Sequence, residues 1–131
     1  MTINCKGQLI DLNTPKVMGI LNVTPDSFFD GGQYTDNAAM LRQAEAMLLE
    51  GADFIDVGGY SSRPGATDIT EAEEINRIVR AIGAISREFP DAILSVDTFR
   101  SGVARAAIDS GAAIVNDISA GRLDAKMMDV V

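Results

Sequence analysis

The sequence predicts an α/β domain with a parallel sheet, and three observations carry that expectation. Four short, nearly continuous apolar runs recur along the chain, at Val17–Asn22, Asp53–Val57, Ala92–Asp97 and Ala113–Asp117. Segments with apolar residues at helical spacing lie between them. Strands without hydrophobic-polar alternation suit a sheet covered on both faces, and strands alternating with helices require right-handed crossovers between parallel neighbours.

The elements follow in order. Ile3–Cys5 and Gln8–Leu12 flank Lys6-Gly7 and read as a small β-hairpin. After the first apolar run, Met40, Ala44, Met47 and Leu48 form a helical stripe that Gly51 stops. Ile75, Ile78, Val79, Ile82 and Ile85 form a second stripe, opened by Thr70 and Glu73 at the spacing with which a hydroxyl satisfies free N–H groups at a helix start. Val103, Ala106 and Ala107, ended by Gly111, make a shorter third helix, and a fourth is expected from near Asp124. A doubly wound sheet and half of a (β/α)8 barrel both satisfy this order, because a barrel takes about 250 residues and the chain has 131. With no low-complexity tract or charge block, residues 1–131 read as one domain.

Composition removes several functions. Nineteen acidic against eleven basic residues give a formal charge of -8, which argues against nucleic acid or anionic membrane as the principal partner. No apolar run approaches the roughly 18 residues of a membrane span, and Met1–Ile10 lacks the layout of a signal peptide. The single cysteine, Cys5, excludes an intrachain disulfide and suits a reducing cytoplasm. The absence of histidine removes Ser-His, Cys-His and His-ligated zinc chemistry. Cys5 is expected to be inert, and the six methionines to be core.

Polar residues close each apolar run: Asn22, Asp56, Asp97 and the pair Asn116-Asp117. In parallel α/β folds these C-terminal strand ends share one rim, where side chains converge on ligands. Turn formation is the competing role for any one of them, but Val57 after Asp56 and Ile118 after Asp117 are poor turn formers. Asp97, at the end of a buried strand, needs pairing or hydrogen bonds. It suits a ligand with a cyclic guanidine-like edge of N–H donors, and Asn116 complements the same edge. Thr98 reads as a helix cap. Two long segments follow the first two strands. In Val23–Gly32 the adjacent Phe28 and Phe29 either cover an aromatic substrate or anchor the loop. In Gly58–Ala66, glycines permit close backbone approach, serines offer donors, and Arg63 is either a fork for phosphate or carboxylate or a solvated charge. Neither a Walker loop nor a dinucleotide fingerprint is present.

These stretches together resemble dihydropteroate synthase of folate biosynthesis. The matching residues are Met18 to Phe28 (MGILNVTPDSF) with Asp30-Gly-Gly32, Asp56-Val-Gly-Gly59 with Ser61-Ser-Arg-Pro-Gly65, Ser95-Val-Asp-Thr98 and Asn116-Asp-Ile118. Four motifs in the family's order cover essentially the whole chain. The resemblance implies the (β/α)8 barrel, with this chain as its N-terminal half: the hairpin and about four βα units. It also implies a pterin-binding transferase, a sulfonamide target, that joins 6-hydroxymethyl-7,8-dihydropterin pyrophosphate to p-aminobenzoate, releases pyrophosphate and uses Mg²⁺. By position, Asn22 would meet the metal, and Asp97 and Asn116 would hold the pterin, with Asp56 and Ile118 also lining the substrate site. Asp30, Ser62 and Arg63 would be catalytic, and Phe28, Ser62, Arg63 and Pro64 would shape the p-aminobenzoate site in loops that shield the reacting methylene.

Departures from the family pattern are Tyr60, where glutamate is common, and Ser62, where threonine is. The family's later aspartate, lysine and Arg-x-His pair would lie beyond Val131, so the 131 residues alone are expected to be inactive, while the complete enzyme is expected to be a homodimer. Two other readings fit parts of the pattern. A related pterin-binding methyltransferase acting on a corrinoid would share Asp97 and Asn116 but not the Ser-Arg-Pro-Gly stretch, and a non-catalytic half-barrel would self-associate through its open edge.

Overall fold

A computed structural model describes residues 1–23, 33–60 and 69–131. The hairpin comes first: β1 (Thr2–Cys5) pairs antiparallel with β2 (Gln8–Asp11), Ile3 facing Ile10 and Cys5 facing Gln8. Lys6 and Gly7 both take positive φ, 50° and 91°, the backbone of a two-residue turn whose twist matches the strands. The Asn4 side chain accepts the Gly7 N–H at 2.8 Å. The strands and helices then alternate: β3 (Met18–Asn22), α1 (Gln33–Leu49), β4 (Phe54–Gly58), α2 (Glu71–Glu88), β5 (Ile93–Asp97), α3 (Ser101–Ser110), β6 (Ile114–Asn116) and α4 (Met127–Val130).

Four parallel strands lie in strict chain order, β3-β4-β5-β6. A doubly wound sheet would reverse order at a switch point; sequential order with every crossover helix on one face is how a barrel is wound. The helices do share one face. Leu21, Ile55, Val57, Leu94 and Val96 form one core with Met40 and Ala44 of α1, Ile78, Ala81, Ile82 and Ile85 of α2, and Val103 and Ala107 of α3. Alternate residues point to the other face, where the hairpin covers only the N-terminal end. There Cys5, Ile3 and Ile10 pack on Phe54, Ile93, Ala113 and Ile114. Lys6 ties the hairpin to the body by donating to the Ile108 carbonyl at 2.9 Å.

Helix ends follow the expected signals. The Thr70 hydroxyl accepts the Glu73 N–H at 3.1 Å and caps α2, while Gly51 and Gly111 take φ of 106° and 132° just past α1 and α3, where a side chain would be strained. Four local expectations are corrected. Burial on both faces holds for β4 but not for β3, where Ile20 is 62% exposed because the hairpin stops short of it. Val79 turns outward, and Glu74 takes a place on the buried stripe of α2 instead. Thr98 is not the cap of α3; Arg100 holds that position, without a side-chain capping bond. The last helix starts at Met127, three residues after Asp124, which accepts the N–H groups of Ser101 and Lys126 instead. No helix among the described residues is long and apolar enough to cross a membrane.

Candidate active site

The parallel register sets the site. Asn22 pairs with Gly58, Gly58 with Asp97, and Asp97 with Asn116. These four residues therefore form one row across the C-terminal ends of the strands, on the face turned away from the helices. One layer deeper the row is Ile20, Asp56, Ser95 and Ile114. Asn22, Asp97, Asn116 and Asp56 are thus brought to one surface, as their positions in the sequence imply, but Asp56 does not end its strand. β4 runs two residues further to Gly58, so Asp56 lies beneath the rim.

Asp56 is almost wholly buried, at 2% exposure, and its Oδ2 accepts the Asn116 amide at 2.9 Å. That bond fixes the orientation of Asn116, leaving its amide oxygen as an acceptor for a ligand. The other oxygen, Oδ1 of Asp56, and the hydroxyl of Ser95 are buried without a hydrogen-bond partner among the described residues. A carboxylate oxygen placed so accepts a donor gladly, since an unmade bond there costs about 1–3 kcal/mol.

Asp97 is partly buried, and burial together with the nearby charges of Asp56, Glu74 and Asp117 pushes its carboxyl up to about 6. Such a group holds its charge poorly until a cation or an array of N–H donors arrives. Space for one exists because the row contains a glycine. A Cβ on Gly58 would come within 3.5 Å of Asp97 Oδ2 and 3.6 Å of Asn22 Oδ1. Without it, the two oxygens face one cradle over the Gly58 backbone.

That cradle bears on the magnesium expectation. Among the described residues no group of three or more acidic, cysteine or histidine side chains is placed to hold a metal ion. Mg²⁺ does not require one, because it commonly keeps several waters and takes one or two protein oxygens beside substrate phosphates. Asn22, exposed at the rim with its oxygen over Gly58, fits as a single hard ligand of that kind.

The neighbouring strand end differs from expectation. Asp117 accepts Ser119 N at 2.8 Å, Ser119 Oγ at 2.7 Å and Gly121 N at 2.9 Å, so it builds a turn despite Ile118 following it. Ile118 itself stands 82% exposed. Phe28, Asp30, Ser62, Arg63 and Pro64 lie outside the described residues.

One participant escaped the sequence reading. Glu74, fully buried on α2, accepts Thr98 Oγ1 at 2.7 Å and pairs with Arg100 Nη1 at 3.1 Å. Burial raises its carboxyl, against the opposing pull of Thr98 and Arg100. Its signal was present: positions 74, 78, 81, 82 and 85 trace one helical face, and Glu74 is the charged member of that stripe.

Comparison with known proteins agrees with the fold. The pterin binding enzyme family matches residues 18–131. The chain is 45% identical over 122 residues to dihydropteroate synthase of Streptococcus pyogenes, covering 93% of this chain and 46% of that protein. It is similar to the structure of Xanthomonas albilineans dihydropteroate synthase with 4-aminobenzoic acid, at a TM-score of 0.90 and 42% identity, over 99% of this chain and 48% of that one. The Burkholderia cenocepacia enzyme complexed with 7,8-dihydropteroate gives a TM-score of 0.81 and 37% identity, over 99% and 42% of the two chains. The chain spans about half the length of the dihydropteroate synthases it matches.

Proposed function

The chain belongs to the pterin binding enzyme family, and from that membership we propose that it supplies the pterin-holding half of a dihydropteroate synthase. The reaction joins 6-hydroxymethyl-7,8-dihydropterin pyrophosphate to p-aminobenzoate and releases pyrophosphate. The observation that carries the proposal is the row Asn22, Gly58, Asp97 and Asn116 above a buried Asp56.

Each residue has a physical role in it. Asp97, poised near a pKa of 6, accepts N–H donors from the guanidine-like edge of the pterin. Asn116, steered by Asp56, adds a second polar contact in the same plane. The Oδ1 of Asp56, without a partner among the described residues, takes a further donor. Ile118, on the rim, contributes apolar surface. Asn22, whose oxygen faces the space over Gly58, would supply the protein ligand to Mg²⁺. When bound, the metal neutralises charge developing on the leaving pyrophosphate. Loss of that group leaves a cation-like methylene, which the carboxylate of Asp97 favours electrostatically. From sequence position, Asp30, Ser62 and Arg63 act on the pyrophosphate and the arylamine, and Phe28 and Pro64 shape the p-aminobenzoate side. Enclosure of the methylene prevents its capture by water before the amine attacks.

Pyrophosphate release by the full chain, meaning a complete dihydropteroate synthase that contains these 131 residues, measured with the pterin substrate, p-aminobenzoate and Mg²⁺, tests the proposal. Turnover that requires all three supports it; release indifferent to p-aminobenzoate contradicts it. Residues 1–131 by themselves are expected to turn over nothing, since they span about half of the enzymes they resemble.

A further inference from the structure

We propose that Thr98 and the buried Glu74 are positioning residues for pterin binding: together they brace the turn that follows Asp97 against α2 and so fix the Asp97 carboxylate relative to Asn116. The inference rests on the synthase reading, which gives that pair to the pterin edge.

Asp97 and Asn116 are the last register pair between β5 and β6, and β6 is only three residues long. Among the described residues β6 pairs with β5 alone. A strand end this short frays unless something closes it. The closing bond comes from the next residue, where the Thr98 N–H donates to the Asn116 carbonyl at 3.1 Å. Thr98 is itself buried, and its side chain lies on the helix side of the sheet, as alternation from the inward Asp97 requires. There its hydroxyl donates to Glu74 Oε2 at 2.7 Å. The same hydroxyl oxygen accepts the Arg100 backbone N–H at 3.1 Å, which closes the turn. One residue thus joins the end of β6, the first turn of α2 and the start of α3.

The chemistry of both side chains is specific. A hydroxyl donates and accepts at once, whereas a valine of the same shape does neither. Glu74 presents two acceptor oxygens and both are used, Oε2 by Thr98 and Oε1 by Arg100 Nη1 at 3.1 Å. A buried ion pair adds little stability over apolar packing of the same volume, but its hydrogen bonds admit one geometry where apolar side chains slide. Glu74 shares its helical stripe with Ile78, Ala81, Ile82 and Ile85, so the turn it holds accounts for its presence there and packing does not. Asn116 is then fixed twice, at its carbonyl by Thr98 and at its amide by Asp56. Thr98 and Glu74 act from the opposite side of the sheet, out of reach of the ligand itself.

The test compares Thr98→Val with Thr98→Ser in the full chain, and adds Glu74→Gln. Thr98→Val is expected to weaken pterin affinity by calorimetry about tenfold, the size of effect a small misplacement produces. Thr98→Ser, which keeps the hydroxyl, is expected to stay within about twofold of wild type. In an Asp97→Asn background the same Thr98→Val change is expected to cost less than about threefold, because a residue acting through Asp97 loses its effect once that carboxylate is gone. Protection of the residue-98 amide from hydrogen exchange is expected to drop in Thr98→Val and in Glu74→Gln, with Ile93–Val96 unchanged. Wild-type pterin affinity in folded Thr98→Val overturns the proposal even if its unfolding midpoint falls, because the hydroxyl then serves stability alone. Equal losses in the two backgrounds overturn it as well. Should Thr98→Val fail to fold, Glu74→Gln decides, and unchanged protection at residue 98 overturns the proposal. A wild-type chain that binds no pterin defeats the synthase reading alone, because exchange at residue 98 reads the brace without any ligand.

Discussion

The two faces of the four-stranded sheet use alternate residues of the same strands and differ in every respect that matters to function. Leu21, Ile55, Val57, Leu94 and Val96 face the helices and are at most 1% exposed. Their neighbours one residue away, Ile20, Asp56, Ser95 and Asp97, face the opposite side with Asn116, where an apolar isoleucine lies open and polar groups lie buried. The first face satisfies packing completely. The second violates it repeatedly: it contains two buried polar atoms without partners among the described residues and a carboxyl that resists ionisation. Because a residue shift of one moves a side chain from one face to the other, the strands must carry both programmes in a strict alternation. Departures from packing logic concentrate where a ligand is to sit.

Disturbing the packed face should have the largest effect on stability and the least on binding. Leu94→Ala is expected to cost about 2–5 kcal/mol in denaturant unfolding of the full chain, while pterin affinity of the folded protein stays unchanged. A smaller effect belongs to pH. Asp97, with its carboxyl near 6, is mostly ionised at pH 7 and about one-tenth ionised at pH 5, so pterin affinity should fall about tenfold between them. The stability effect has the opposite sign. A carboxyl raised above its unfolded value favours the folded state most below about pH 4, and this contribution is lost as pH rises through 6. Calorimetric titrations across that range, with Asp97→Asn as the flat control, check both. The smallest effect is at Ser95, whose hydroxyl is buried without a partner among the described residues. Ser95→Ala should change the unfolding midpoint by the equivalent of less than about 1 kcal/mol, and in the stabilising direction; a loss larger than that would show that the hydroxyl is engaged.

Much of this contrast was legible in the sequence, because it is a matter of parity. The four apolar runs, the hairpin around Lys6-Gly7 and the helix cap at Thr70 follow from local chemistry. The convergence of Asn22, Asp97 and Asn116 follows from parallel register once the strands are placed. What failed was anything decided across the fold. Asp56 reads as a strand end because it is the polar residue closing its apolar run, yet β4 continues to Gly58, so Asp56 becomes a buried neighbour of Asn116. Asp117 was expected to resist turning because Ile118 follows, but Ser119 and Gly121 donate to it and decide otherwise. Glu74 was passed over because charged residues are ordinarily solvated. Only its partners from the next strand end, Thr98 and Arg100, explain a carboxylate on the apolar face of α2.

Asp97→Asn tests the division between the faces most directly, with affinity for the pterin substrate and unfolding midpoint measured on the same preparation of full chain at pH 7. The division predicts that affinity falls by a hundredfold or more, on the order of 3 kcal/mol for a lost charge-assisted contact, while the midpoint holds or rises because a penalised carboxylate has been removed. Pterin affinity equal to that of the unaltered chain, or a protein that loses stability instead of binding, would contradict it.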